Sequence, residues 1–528
     1  MEAFLLISAL VLLIILGMPV GIAMVILPTI FIAVTNELPL STIPYQMYEA
    51  LARAPLIAIP FFILTGELMN SSQISERLMT LSKSLVGRVR GGVAQVNIIA
   101  SLFFAGMNGS AVADTVASGT ILIPAMKKAG YSPAFAAALT ATASTIGGII
   151  PPSIVMVLLA SGLGLSVGGL FVAGIIPGLL ITGLLMLTTY AISVHRKYER
   201  SDTPFSFKAV FIAFKGAAIA MTIPLVLVCG IVFGVFTASE AGSITAIVAI
   251  FIGVFIYKTF TLSSLLATVG RSVKLAGSVF IIVAAAGPFS WLLNRIGALQ
   301  GLDAWLTSFA DQPVMFAIVL IGFIFVTGMI MDAVANIVVL GPVLIKICLI
   351  AGYPELQAAM IVAVGFLMGT ITPPVGICFF TVYRWRNYIF VFAHRRAWAQ
   401  HLAAERVRIF MIYSVGVKMR VFAIDGLFFS TMKFLCGALL VSMVFFTAYT
   451  ILMRYVFQDP PFWGDTVTMF ANVGLVMLAF GISSRENDHI AMQGLYPFLP
   501  GKLSWFLDFF WNVCILLFSA FISDTKRQ

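Results

Sequence analysis

FFAGMNGSAVADT (Phe103–Thr115) and TIGGIIPPS (Thr145–Ser153) are answered 222 residues further on by FVTGMIMDAVANI (Phe325–Ile337) and LMGTITPPV (Leu367–Val375). From Phe103 to Pro152 and from Phe325 to Pro374, twenty of fifty positions agree without a gap, against roughly one in ten expected from so apolar a composition. The chain therefore carries an internal duplication, and each copy ends in a twin proline inside an apolar segment. A proline has no N–H to donate and its ring obstructs the preceding turn, so a helix running through Pro151-Pro152 or Pro373-Pro374 must break. Apolar segments interrupted by Gly and Pro at corresponding places in two halves are the best sequence pointer to the binding site of a secondary transporter.

Working outward, the composition agrees. Hydrophobic residues make up 61% of the chain, charged residues 10%, and mean hydropathy is +1.07. A soluble globule would be about one-quarter charged. Apolar runs at Ala3 to Val34, Val167 to Val194, Ala217 to Val235, Ala241 to Tyr257 and Ser278 to Leu293 approach or exceed the ~20 residues that span hydrocarbon. The runs are continuous rather than alternating, so the expected class is an all-α polytopic membrane protein and not a barrel. The first run follows Met1-Glu2 without a basic leader and reads as one retained spanning helix. The five cysteines, Cys229, Cys348, Cys378, Cys436 and Cys514, stand alone in apolar context, without the spacing of a zinc or redox site, and read as packing residues.

The net charge of +10 is uneven: Arg384 to Arg420 holds eight Lys/Arg against the single acid Glu405. Other basic groups, Lys83/Arg88/Arg90, Lys127-Lys128 and His195-Arg196-Lys197 with Arg200, flank apolar runs in short loops, where positive charge marks the cytoplasmic side. No aromatic-interleaved basic domain accompanies them, which disfavours nucleic acid as a partner.

The pattern along the chain predicts an interfacial helix at Leu38 to Arg53, an apolar run at Pro55 to Met69, and an amphipathic stretch at Asn70 to Arg90. A first repeat unit follows at about 91–160. Long helices then run to about Tyr257, an amphipathic linker spans Thr261 to Lys274, and a second unit occupies about 278–380. Hydropathy, charge and repeat pattern change together at 381–420, which places a domain boundary there. Beyond it, three apolar runs, Leu427 to Val456, Val467 to Ile482 and Trp505 to Ile522, define a C-terminal three-helix segment at 421–528.

Each unit has two interruptions. The first is small and polar: Asn108-Gly109-Ser110 with Asp114, matched by Asp332 with Asn336. An ionisable carboxylate in an apolar stretch is costly and is by default a functional hypothesis. The second is the proline break, Gly147-Gly148 before Pro151-Pro152 and Gly369-Thr370-Ile371-Thr372 before Pro373-Pro374. Unwound backbone at membrane depth persists only where it is buried in protein or faces water. Its carbonyls, with the hydroxyls of Ser144, Thr145, Thr370 and Thr372, form the oxygen set a hard cation needs, and half-helix N-termini offer N–H groups to an anion. Hairpin tip plus broken helix, twice over, predicts two half-sites meeting near the midplane, with the organic substrate between them.

These motifs, together with Pro60-Phe61-Phe62-Ile63-Leu64-Thr65-Gly66-Glu67, resemble the large membrane subunit of tripartite ATP-independent periplasmic (TRAP) transporters over about 1–380. The resemblance implies an inverted-repeat, elevator-type carrier with two helical hairpins and two broken helices. It also implies sodium as the coupling ion, an organic anion as substrate, a periplasmic substrate-binding protein as partner, and the bacterial inner membrane as location. On that basis Asn108, Ser110, Asp114 and the Gly147–Gly148 backbone serve one sodium site. Asp332, Asn336, Gly369, Thr370 and Thr372 serve the other, with oxygen ligands and no transition metal or other cofactor. The tail, through Arg454-Tyr455-Val456-Phe457, Pro461-Phe462-Trp463-Gly464-Asp465 and Arg485 to Ile490, resembles the same system's small membrane subunit, a scaffold.

Two departures from the family stand out. The stretch Arg384 to Arg408 matches neither subunit, and the tail ends after a third helix where the small subunit usually has four. The sequence thus reads as a frameshift or aberrant fusion, large subunit before small. No ATP-binding Walker motif is present, so ion gradients must supply the energy. The alternatives are a binding-protein-independent anion symporter of the same wider fold, against which the tail argues, and a membrane-embedded enzyme with Asp114 and Asp332 as an aspartyl pair. The residues around both acids lack the contexts of intramembrane aspartyl proteases.

Overall fold

Apolar segments in a bilayer can satisfy their backbone only within themselves, and the segments described in the computed structural model do so as helices. The structure describes residues 2–16, 18–36, 38–72, 74–198, 206–297, 304–309, 312–372, 376, 378 and 420–486. Among them, seven helices are long and apolar enough to cross a membrane, and an eighth span is made by a pair bent by 41° at its break, Pro133–Ile149 with Ile154–Leu163.

The chain opens with α1 (Glu2–Ile15) and α2 (Val20–Thr35). The single helix expected over Ala3 to Val34 is therefore two, of 14 and 16 residues; Pro19, at the N-cap of α2, cannot donate into a preceding turn. The interfacial helix is α3 (Thr42–Leu51), and a 3-10 turn (Ala54–Ile57) leads into α4 (Ala58–Ser71) and the amphipathic α5 (Ile74–Val86). The first repeat unit comprises α6 (Gly92–Asn108), α7 (Ala111–Lys128), α8 (Pro133–Ser144), the single turn α9 (Ile146–Ile149) and α10 (Ile154–Leu163). Then come α11 (Val167–His195), α12 (Phe207–Val232), α13 (Ala238–Phe251) with a π-helical turn (Ile252–Ile256), and α14 (Leu262–Arg295). At 34 residues, α14 absorbs both the expected linker and the expected Ser278 to Leu293 span into one helix. Nothing from Leu262 to Gly287 breaks it, and Pro288 is accommodated inside it. The second unit supplies α15 (Pro313–Ile330), α16 (Ala333–Ile350) and α17 (Glu355–Gly369), and the tail supplies α18 (Arg420–Leu452), a π-helical turn (Met453–Phe457) and α19 (Gly464–Glu486).

The basic loops of the first half gather at one end. Arg90 Nε donates to Tyr198 O at 3.4 Å, the Arg196 guanidinium lies over the Phe135 ring, and Tyr131 and Tyr198 stack with centroids 4.2 Å apart. Helix α7 ends there at Lys127-Lys128, α8 starts there, and beyond the break α10 carries the chain on to the opposite end.

The tail docks on the large-subunit-like part through its Arg454-Tyr455 motif. Arg454 Nη1 pairs with Glu240 Oε1 at 2.6 Å, the Tyr455 hydroxyl donates to Val235 O, and the Tyr455 ring meets Phe236 edge-on. Glu240 is 7% exposed and also closes a capping box with Thr237 at the start of α13. Further along α18, Ser243 Oγ donates to Val444 O at 2.9 Å. The expected junction at 381–420 lies outside the described residues up to 419, and so does the third apolar run, Trp505 to Ile522.

Candidate binding site at the hairpin tip and helix break

Helix α6 ends at Asn108, and Gly109 turns the chain with φ 60° before Ser110 caps α7, accepting from the Ala113 N–H at 3.4 Å. The turn seats on the break: Gly109 O accepts from Ile154 N–H at 3.1 Å, and a Cβ at Gly109 would stand 2.5 Å from Pro152 O. Only glycine allows both this backbone angle and this approach. The first hairpin tip and the first proline break are thus one structure, and the N-termini of α7 and α10 lie side by side.

Asp114 follows in the first turn of α7 and is fully buried. The hydroxyls of Ser101 and Ser144 face its carboxylate, yet neither meets it in hydrogen-bonding geometry; both carboxylate oxygens and the Ser101 hydroxyl are buried without a partner. Gly147 lies against the Asp114 Cβ and the Ser110 carbonyl, at 3.6 and 3.7 Å from the point where its own Cβ would be. Ser144 and Thr145 donate to Thr140 O and Thr142 O at 2.9 and 2.8 Å. With their protons committed, these hydroxyls present only lone pairs, which is what a cation requires. The break is less open than expected, because Ser153 Oγ donates to Gly148 O while accepting from Met156 N–H as the cap of α10.

The second unit repeats the hairpin and its cap with different chemistry, and its tip is extended at Met331, φ −119°, where the first turns at Gly109. Asp332 occupies the place of Ser110 and does the same work, its Oδ2 accepting from Val334 N–H at 3.1 Å to cap α16. Asn336, in the place of Asp114, donates to Thr327 O and Met331 O at 3.2 and 3.0 Å and leaves its Oδ1 buried without a partner. Gly369 crosses the hairpin leg at Gly328; a Cβ there would stand 2.6 Å from Gly328 Cα. Thr370 and Thr372 donate to Leu367 O and Met368 O at 2.6 and 3.0 Å, and Thr370 O accepts from Cys378 N–H at 3.1 Å. Pro373, Pro374 and the Asn108 side chain lie outside the described residues.

The end of α17 meets the first break. Gly148 faces the Leu367 side chain at the end of α17, with 2.5 Å to the position of an added Cβ. Cys378, fully buried, faces Thr370 in one unit and Thr115 in the other and lies within electrostatic reach of both Asp332 and Asp114. Sequence reasoning missed Ser101, Ser153 and the central place of Cys378. Ser153 was findable, since a serine just after a proline break is a helix-capping pattern. Ser101 has no polar counterpart in the other repeat, where Phe323 stands, so the duplication could not flag it.

The arrangement offers a buried carboxylate with hydroxyl and carbonyl oxygens for a cation, and three half-helix N-termini, of α7, α10 and α16, for an anion. Comparison with known proteins agrees in kind. Residues 7–391 match the model of the tripartite ATP-independent periplasmic transporter DctM component, and residues 443–524 that of the DctQ component. Similar proteins include the sialic acid TRAP transporter large permease protein SiaM of Vibrio cholerae, 33% identical over 70% of this chain and 86% of that protein. The C4-dicarboxylate TRAP transporter large permease protein DctM of Rhodobacter capsulatus is 30% identical over 71% of this chain and 89% of its own length. The 2,3-diketo-L-gulonate TRAP transporter large permease protein YiaN of Escherichia coli is 33% identical over 61% and 75%.

Proposed function

This chain belongs to the TRAP transporters, as a large permease component joined to a DctQ-like segment, and we propose that it couples inward sodium movement to uptake of an organic carboxylate handed over by a periplasmic binding protein. The observation that carries the reading is Asp114. An ionised carboxylate buried without a partner is expensive, and at membrane depth it calls for a cation. It sits where a hairpin tip meets a broken helix, beside the unpartnered Ser101 hydroxyl and the Ser144 hydroxyl, whose proton is already committed to Thr140 O.

The chemistry then runs as follows. Sodium entering beside Asp114, Ser101 and Ser144 cancels the buried charge and ties the tip, through Ser110 and Gly147, to the break. Asn336 Oδ1 and the Thr370 and Thr372 oxygens offer a second, weaker set. With the tips held, the N-termini of α7, α10 and α16 present N–H groups to the substrate carboxylate, and the loaded unit moves against α3, α4, α13 and α14. The end bearing Arg90, Lys127, Lys128 and Arg196 is cytoplasmic by the positive-inside rule, and the end bearing Arg53 faces the periplasm of the inner membrane. The test is uptake of sialic acid, succinate and related carboxylates into proteoliposomes containing the whole chain, with and without the binding protein. Uptake should need an inward sodium gradient and the binding protein. Uptake indifferent to sodium would remove the coupling, and uptake indifferent to the binding protein would favour a self-sufficient symporter.

A further inference from the structure

A cavity of about 360 Å³ opens on the side away from the basic loops, within the ~300–1,000 Å³ of small-molecule sites. One wall is α3 and α14, held together where the α3 backbone lies against Gly287. The other is α10 and α16, at Leu158 to Leu163 and Ile337 to Pro342. Both of these helices start at the candidate site. Leu158 and Ile337 each lie five residues beyond the caps Ser153 and Asp332, so the cavity begins about 7 Å from them along the helix axes. It therefore reaches from the delivery side to within about 7 Å of the caps, between the wall expected to stay and the wall expected to move.

Its lining is specific in charge. Arg53 and Glu49 are the charged residues of the wall, and the other polar side chains are neutral: Gln46, Ser161, Ser290 and Asn294. Glu49 already accepts from Tyr45 at 3.1 Å on its own helix. Arg53 Nη1 donates to Ser161 O at 3.2 Å, which holds the guanidinium at the seam, and a guanidinium has five N–H donors, enough to take a carboxylate as well. Trp291 adds its ring to the wall, with the Arg295 guanidinium 5.8 Å from the ring centroid. On the wall itself a dicarboxylate would find one cation, Arg53, and would bring its second charge toward Glu49.

We propose that this cavity is a reception subsite for a polyhydroxylated monocarboxylate, a sugar acid, with Arg53 holding the carboxylate and the amides and hydroxyls of the wall holding the hydroxyl groups. The proposal rests on the transport reading above and adds the substrate class and the delivery-side station.

The test is calorimetric titration of the whole purified chain with sialic acid, gluconate and succinate, alongside Arg53→Gln and Arg53→Lys. Sialic acid or gluconate should bind saturably, succinate should not displace it, and Arg53→Gln should weaken binding by about tenfold or more, as loss of a charged hydrogen bond does. Arg53→Lys should recover part of the loss, since it keeps the charge without the fork. Unchanged binding in Arg53→Gln, equal competition by succinate, or no binding of either sugar acid would overturn the subsite. Proteoliposome uptake separates the two readings. Sodium-driven uptake with a KM unaltered by Arg53→Gln removes the subsite alone, whereas Arg53-dependent binding without sodium-driven uptake removes the transport reading alone.

Discussion

The two repeat units share a helix order and differ in where they place their charge. In the first, the helix cap is a neutral serine, Ser110, and the carboxylate stands four residues on, buried and unpartnered. In the second, the carboxylate is itself the cap, Asp332, and the residue four on is an amide already donating to two carbonyls. Both units keep a hairpin whose tip caps the next helix and a glycine packed against that hairpin, Gly147 and Gly369, while the turn itself diverged: Gly109 is left-handed at φ 60° and its counterpart Met331 is extended at φ −119°. A shared helix order does not make equal sites: in one the carboxylate is unpartnered, in the other it caps a helix.

That comparison can be broken most decisively at its two acids. Asp114→Asn should abolish sodium-dependent uptake, because the amide keeps the shape and removes the charge. Asp332→Asn should keep uptake with at most a several-fold change in apparent sodium affinity, since Asn caps a helix about as well as Asp. Equal losses in initial-rate measurements would mean the sites are equivalent.

The next contrast concerns packing. Gly369→Ala must push against the backbone at Gly328, whereas Gly148→Ala meets only the end of the Leu367 side chain. The first should lower stability by about 1–3 kcal/mol and the second by less, read as thermal unfolding of the detergent-solubilised chain.

Ser101→Ala and Ser144→Ala test the finer asymmetry, since their counterparts in the other unit are Phe323 and Phe366. Each should raise the half-saturating sodium concentration a few-fold and leave the maximal rate nearly intact, in uptake measured across sodium concentrations.

The smallest effect is expected at the docked tail. Arg454→Met leaves Glu240 without its ion partner but with its capping bonds to Thr237, and Arg454 is partly exposed. A loss on the order of 1 kcal/mol follows. It should appear in thermal unfolding, with sodium dependence of uptake unchanged.

The duplication made the hairpins and the first break legible before any coordinates, because Gly and Pro act on the backbone locally. The same signal says less about chemistry where one residue has two uses. Asp332 reads as a cation ligand in sequence and is engaged as a helix cap in space. Hydropathy merged α1 with α2, since apolar residues continue across Pro19, and divided α14, since polar residues at Thr261 to Lys274 look like a linker although they continue one helix. The Arg454–Glu240 pair joins positions more than two hundred residues apart, and no local pattern could announce it. Arg53 escaped notice for a related reason: a lone arginine at the end of an interfacial helix gains meaning only when α10 and α14 are seen beside it.

The most direct test of the asymmetric pair of sites is equilibrium binding of radioactive sodium to the purified chain and to Asp114→Asn. The wild-type protein should bind sodium saturably, and the variant should lose the tighter component while keeping the weaker one. Identical binding curves for the two proteins would contradict the assignment of Asp114 as the charge around which the carrier works.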